Sequence, residues 1–579
     1  MAGEPVPDVV RQFVVYLYRH IRYVQGGVRM TSCRCESGGA GRRERRRARA
    51  GRRGRSAPAR PPTPSPSVPS ERNVAEIHSM VDVSFPRLTE RLFRGAAWPA
   101  AAAVAPFVDG DAVFLMLYSE LRFRHMHASL SPSFGDRAAA WANYKDLFGV
   151  ALSAALNVRL PPSWLWDMVD EYCYQFQAFH AAAARAVARG GADAADAAAA
   201  AAAWPVADTV ALLQSLADRA ALSAELSTPA GVRAFCDADA GSGPDGHGSN
   251  VLRGLGYFSH IGVCRLKVLL AQYEPALRAL GPVNPAVPDG LFAARVAGAT
   301  ISLHYYSGFA YLALTRYVDA ARTLDAVLAH IARVKQFHAR SAAHDQILKK
   351  NEQCAALLAL ALALCPAAAS AVSDAGLATL RDKHGDKLAR MARATDAAYE
   401  DLYAYGCPKF VPTAGGLAPV APSAAAGGGG DDGGPANAAQ AAYRAQLASF
   451  LAVVHSRRLL PPLRQLLRLY TRASVPKLAG LMEATEAEVG DALDALAAAQ
   501  SCITWTGAGG AADGEPTPAV DVEFRVETDA DTGERVVCVE PARGAGAARA
   551  GGVDALLRHV TAMAGVVRDL AALPPVKAA

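Results

Sequence analysis

Asp167, Asp170 and Glu171 stand at i, i+3 and i+4, which places three carboxylates on one helical face, a geometry able to hold a cation or to pair an acid with a base. The same stretch carries Leu165, Met168, Tyr172, Phe176 and Phe179 on another face, so the trio reads as the solvated side of an amphipathic helix. His125 and His127 form an HxH, but residues two apart on a helix point about 200° from one another and cannot share a metal. Cys33 and Cys35 lack partner ligands. Gly507-Ala508-Gly509 follows the apolar stretch Cys502 to Thr506 and imitates a dinucleotide fingerprint. Pro516 and Pro518 then stand where a phosphate-binding helix would begin, so the segment reads as a wing loop. There is no Walker loop, HExxH, GxSxG or EF-hand loop. The expectation is a protein that is not an enzyme and has no catalytic, cofactor-binding or metal site.

The elements around these residues are helical. The chain has 579 residues, 51% of them hydrophobic and only 7% aromatic, and Ala, the strongest helix former, is dense almost everywhere. From Asn73 to about Phe410 amphipathic helices follow one another with short breaks. The clearest pair is Ser302 to Thr315 and Tyr317 to Val334, in which Tyr317, Ala320, Leu324, Val327 and Ile331 share a face. With Gly308 and Ala310 opposite, the pair looks like a tetratricopeptide-type hairpin, without a strict repeat period. The apolar run Cys354 to Cys365 is too short to span a membrane and is closed by Pro366, so it is a buried core helix. The Ala run Ala181 to Ala203 is helix or loop filler, and the Gly-rich Thr413 to Asn437 has the composition of a flexible linker.

Beyond the linker, Tyr443 to Leu459 and Leu463 to Arg472 are expected to be helical, and Ser474 can cap a short helix ending at Met482. Thr485 and Glu488 form a capping box for a helix carrying Val489, Leu493 and Leu496. Val520 to Val526 alternates and is answered by Arg535 to Val539 across Asp531-Thr532-Gly533, which makes a winged helix. Its second helix, Glu486 to Ala499, carries Glu486, Glu488, Asp491 and Asp494 and no Lys or Arg, so insertion into a nucleic-acid groove is disfavoured. RNA contact would fall to Arg464, Arg468 and Arg472, for which a solvated face is the simpler account. A last amphipathic helix presents Leu556, Val560, Met563, Val567 and Leu570.

The net charge of +6 has one source. Residues 23–70 hold twelve Arg against two Glu, a net +10, which leaves −4 on the rest. The segment ends in Pro61, Pro62, Pro64, Pro66 and Pro69 and has too few large apolar groups to offset the entropy of ordering, so disorder is expected. Excising it joins Arg22 to Glu71 and brings Ile77 and Met80 close to the helical face of Val10, Phe13, Val14, Leu17 and Ile21. That continuity points to an inserted sequence of the kind an unspliced intron leaves. A basic arm for RNA or a nuclear localisation signal is its functional alternative. Ten scattered cysteines without a CxxC pair, no Asn-x-Ser/Thr sequon and a charged N-terminus fit a soluble cytoplasmic protein with no membrane segment.

The stretches VPDVVRQFVVYLYRHIR (6–22), NVAEIHSM (73–80), LPPSWLWDMVDEYCYQFQAF (160–179), SNVLRGLGYFSHIGVCRL (249–266), QILKKNEQCAALLALALALCP (346–366), YGCPKF (405–410), RYVDA (316–320) and SVPKLAGLM (474–482) resemble, in order, the subunit L family of eukaryotic translation initiation factor three, within the PCI-domain proteins. The resemblance implies a mainly α fold: a helical-repeat, tetratricopeptide-like solenoid, then a PCI-type winged helix with a small β-hairpin wing and a C-terminal helix. Residues 1–22 are then an N-terminal helix and 71–317 the repeat region, while 23–70, the disordered Arg- and Pro-rich insert, departs from the family pattern. A PCI module follows at 318–541, with a helical part 318–410, a linker 411–440 and the helices and winged helix 441–541, and 542–579 is a tail helix. It further implies a non-enzymatic scaffold that supports preinitiation-complex assembly on the small ribosomal subunit and mRNA recruitment. Subunits K and E are the implied neighbours, and contact with mRNA or rRNA is indirect. On that basis Leu556, Val560, Met563 and Val567 are the candidate partner interface. A PCI subunit of the proteasome lid or signalosome, or a nucleic-acid-binding winged helix using the basic insert, are the alternatives. If residues 23–70 are an insertion, sequencing of cDNA yields transcripts without their codons, and a segment present in every transcript removes that reading.

Overall fold

The period that spaces Val10, Phe13, Val14, Leu17 and Ile21 closes into α1 (Asp8–Gly26) in a computed structural model, and all five side chains are buried. The structure describes residues 6–26, 69–153, 158–200, 202–237, 249–285, 291–336, 344–392, 396–412, 438–457, 459–498, 501–506, 509–518, 523–528 and 535–540. Two compact units divide the chain, residues 1–307 with 408–443 and residues 308–407 with 444–579. The class is the expected one, mainly α with a helical array before a winged helix.

In the first unit α2 (Pro69–Ser79) passes through a π-helical turn, Met80–Ser84, into α3 (Phe85–Leu92), with Ile77 and Met80 buried. The expected disordered segment 23–70 is therefore helical at both edges: Tyr23 to Gly26 prolong α1, and Pro69 opens α2, where a missing N–H is harmless. Its remainder, with Cys33 and Cys35, lies outside the described residues. Next come α4 (Ala101–Val104), α5 (Ala112–Ser129), α6 (Phe134–Leu152), α7 (Pro162–Arg189) and α8 (Gly191–Ala199). Asp111 caps α5 by accepting from the backbone N–H groups of Val113 and Phe114, and Ser133 with Asp136 forms a capping box on α6. Within the Ala run, Gly190 and Gly191 adopt φ of +71° and +68° and end α7 before α8 begins.

The rest of this unit is α9 (Val206–Ala220), α10 (Pro229–Asp237), α11 (Val251–Leu269), α12 (Tyr273–Ala279) and α13 (Ala297–Ala313), whose last turns belong to the second unit. α11 is buried along nearly its whole length against α7, α9 and α12. Small residues allow that approach. A Cβ on Gly256 would lie 2.2 Å from the Ala220 Cβ and 2.9 Å from the Leu216 carbonyl oxygen, and one on Gly262 would lie 2.7 Å from Val169 Cγ1. Trp141, Tyr144, Phe148, Tyr172 and Trp204 fill the space between α6, α7 and α9 with rings 5.1–6.1 Å apart. Buried Asn250 accepts from the Leu160 N–H and donates to the Leu160 carbonyl, fixing the entry to α11.

The second unit holds α14 (Tyr317–Val334), α15 (His344–Leu364), α16 (Asp374–Ala392), α17 (Asp396–Gly406), α18 (Ala438–Arg457), α19 (Leu460–Leu469), β1 (Arg472–Ser474), α20 (Val475–Met482), α21 (Glu486–Ala498), β2 (Ser501–Thr504), β3 (Glu515–Pro518), β4 (Glu523–Thr528) and β5 (Arg535–Glu540). The face expected on α14 is buried, and Leu324 packs so closely on Gly308 that a Cβ there would meet it at 2.9 Å. The run from Cys354 is the buried part of α15, and no helix among the described residues is long and apolar enough to cross a membrane. Antiparallel strands order as β1-β5-β4, with Ala473 opposite Val537 and Phe524 opposite Val539. Val411, at the edge of the Gly-rich segment, is buried and donates its N–H to the Leu269 carbonyl; residues 413–437 lie outside the described residues.

Gly256→Ala is expected to lower stability by about 1–3 kcal/mol, because neither Ala220 nor the Leu216 backbone can give way. Gly149→Ala, on an open face of α6, is expected to be neutral or to stabilise by about 0.4–1 kcal/mol. Thermal denaturation of the two variants beside the parent measures the difference.

Candidate functional site in the winged helix

The winged helix is built on one apolar cluster. Leu463 and Leu467 of α19, Leu478 of α20, Val489, Leu493 and Leu496 of α21 and Val537 of β5 meet in it, with Phe524 and Val526 of β4 against its edge. The capping box forms as expected: the Thr485 N–H donates to Glu488 Oε2 at 2.8 Å, and the Glu488 N–H donates to Thr485 Oγ1 at 3.3 Å. Ser474 does not cap. It occupies the N-cap position of α20 but makes no side-chain bond there; its backbone is already committed to β1, and Pro476 in the first turn has no N–H to satisfy. α19 also begins and ends earlier than expected, because Arg472 pairs with Cys538 in the sheet.

Glu486, Glu488, Asp491 and Asp494 are all exposed on α21. Arg535 of β5 reaches Asp494 at 4.0 Å. A recognition helix of this charge repels a phosphate backbone, so the winged helix lacks what groove reading requires. Leu469, Leu481 and Ile503 are exposed in the same unit, Leu469 by 78%. Leu556, Val560, Met563 and Val567 lie outside the described residues.

Between α21 and the wing the chain makes an additional hairpin, which corrects the expectation of a plain wing loop. β2 pairs with β3, Cys502 opposite Thr517 and Ile503 opposite Pro516, while the wing itself is β4 with β5. Arg316 and Asp319, exposed by 7% and 3%, grip this hairpin. The Arg316 guanidinium donates to Asp319 Oδ2 at 2.7 Å and 3.0 Å, to the Ala512 carbonyl at 2.7 Å and to the Asp513 carbonyl at 2.9 Å. Asp319 also accepts the Trp505 N–H at 3.1 Å, and Tyr311 Oη donates to the Ala511 carbonyl at 2.8 Å.

In the first unit the carboxylate trio is only partly solvated, and two of its members are ion-paired, which a free solvated face would not be. Asp167 accepts from Arg124 at 2.7 Å and Asp170 from Arg265 at 2.5 Å. Arg124 also donates to fully buried Glu120, which takes the Trp164 indole N–H on its other oxygen at 2.9 Å. Glu171 has no cation partner among the described residues and accepts from Gln175 Nε2 at 3.4 Å. Burial, opposed by Arg124 and reinforced by Asp170 and Glu120, raises its carboxyl to about 8. His125 and His127 are buried on α5, and burial holds His127 down at about 4. His78 contacts both Ser163 Oγ and Asp82 Oδ2, but through the same Nδ1, so the three cannot relay a proton as a triad does. Among the described residues no group of three His, Cys, Asp or Glu is placed to hold a metal ion.

Stacked helices leading into a three-helix, three-stranded winged domain with an acidic recognition helix define a PCI-type helical protein. Comparison with known proteins narrows this. A family profile described as RNA polymerase I-associated factor PAF67 matches residues 136–544. A Nematostella vectensis protein named eukaryotic translation initiation factor 3 subunit L is 33% identical over 462 residues, 79% of this chain and 84% of its own. Its namesakes in Mus musculus and Homo sapiens are each 34% identical over 453 residues, 77% of this chain and 76% of theirs. The chain belongs to the eukaryotic translation initiation factor 3 subunit L family.

The raised Glu171 carboxyl makes stability depend on pH with a defined sign. The unfolded chain releases this proton near pH 4.5 while the folded one keeps it to about 8, so stability falls across that window as pH rises. Glu171→Gln removes the penalty. Its melting temperature relative to the parent is expected to climb from pH 5 to pH 8, and an offset that stays constant in thermal scans over that range contradicts the assignment.

Proposed function

We propose that this chain is a non-enzymatic scaffold subunit of the eukaryotic translation initiation factor 3 complex. Acting in the cytoplasm, it supports assembly of the preinitiation complex on the small ribosomal subunit and recruitment of mRNA. The observation that carries the reading is identity of 33–34% to relatives named as subunit L, spread over 77–79% of the chain. The acidic face of α21 favours a protein-packing role over nucleic-acid reading, and leaves RNA contact indirect. Subunits K and E are the proposed neighbours. The proposed interface is the apolar face of Leu556, Val560, Met563 and Val567 in the tail, four residues at helical spacing.

A tagged form of the full chain, crosslinked mildly in cells and followed through a sucrose gradient, is expected to co-sediment with small ribosomal subunits. Mass spectrometry of that fraction is expected to recover the other subunits of the factor. Recovery of proteasome-lid or signalosome subunits instead would keep the PCI architecture and overturn the function. A salt-sensitive RNA affinity abolished by deleting residues 23–70 would transfer the role to the basic segment.

A further inference from the structure

Residues 501–504 and 515–518 pair as a two-stranded sheet, and such a hairpin is marginal by itself in water. None of its described residues belongs to the apolar cluster of the winged helix, which is made by α19, α20, α21 and the β1-β5-β4 sheet. Ile503, its large aliphatic side chain, is half exposed. What fastens it is the end of α13, the turn after it and the first turns of α14. Tyr311 Oη and the Arg316 guanidinium take three successive carbonyls, those of Ala511, Ala512 and Asp513. Asp319 takes the Trp505 N–H, and Arg322 donates to the Trp505 carbonyl at 3.3 Å. The Arg316 guanidinium also lies over the Tyr311 ring at 4.8 Å. Dependence runs in both directions, since the hairpin supplies two acceptors to a nearly buried guanidinium and a peptide donor to a nearly buried carboxylate.

We propose that the hairpin of β2 and β3 is a strap, a cooperative unit separate from the winged helix, fastened by Arg316 and Asp319 and able to release while α19–α21 and the three-stranded sheet stay folded. The strap ends at Pro518, and β4 begins five residues later at Glu523. Releasing it changes the approach to the outer strand of the winged-helix sheet without dismantling that sheet.

Amide hydrogen exchange on the full chain tests the strap. In Arg316→Ala and in Asp319→Asn the amides of Cys502 to Trp505 and of Thr517 are expected to exchange about tenfold faster or more, as loss of charge-assisted bonds implies. Amides of α20 and α21 are expected to stay within about twofold of the parent, the mark of a local opening. Unchanged exchange in the hairpin, or equal acceleration in α20 and α21, overturns the proposal. Tyr311→Phe removes one strap bond and strands no charge, so it decides the matter should the charge variants unfold the whole unit. Acceleration confined to the hairpin supports the strap, and its absence overturns it.

Discussion

A guanidinium buried in a helical array has to be met by a carboxylate, because an unpartnered charge there costs several kcal/mol, and this requirement decides which helices meet. In the first unit α7 supplies two carboxylates, and Glu120 of α5 supplies Arg124 with a third. Asp167 answers Arg124 of α5, and Asp170, one turn on, answers Arg265 of α11. Three residues of spacing on α7 thus set the register of two different neighbours. The carboxylates of both pairs keep more than a third of their side-chain surface in water, so the pairs add little net stability and act more by disfavouring registers that would leave an arginine unmet. Glu171 makes no ion pair of its own among the described residues, and burial raises its carboxyl further than the nearby Arg124 lowers it.

The second constraint is distance. Helices bring buried charges within hydrogen-bond reach only if their backbones approach closely, and here glycine permits it. Gly262 of α11 faces Val169 and Cys173 of α7, on the same pair of helices that Arg265 and Asp170 join. Gly256, nearly two turns earlier, lets α11 lie on α9. Larger side chains there would push α11 outward and pull the guanidinium away from its carboxylate. Packing and electrostatics are therefore one constraint seen at two positions of one helix.

Much of the fold was legible because periodicity reports which residues turn inward. The buried faces of α1 and α14, the capping box on α21 and the pairing of the wing strands all follow from spacing. Periodicity does not report what stands opposite a face. The trio on α7 looked like a solvated surface for that reason, although Arg265 inside the apolar run Gly262 to Leu266 was a usable signal, since an arginine there needs a carboxylate from elsewhere in the chain. The hairpin of β2 and β3 was hidden by composition. Pro516 and Pro518 argue against a strand unless it is an edge, and in a two-stranded sheet every strand is an edge. Ser474 failed as a cap because residue type shows only that a side chain is able to accept, while the backbone it sits on had already been drawn into β1.

The winged helix shows why architecture and use separate. Its core, helix order and sheet order are those of a groove-reading domain, and nothing in that framework specifies the charge of α21's outer face. Four acidic side chains on that face and no basic one make the same geometry repel a phosphate backbone. Arg316 and Asp319 extend the same logic. Side chains that bind another segment's backbone recognise its path through space and not its sequence, so composition gave no sign that this hairpin would be held there.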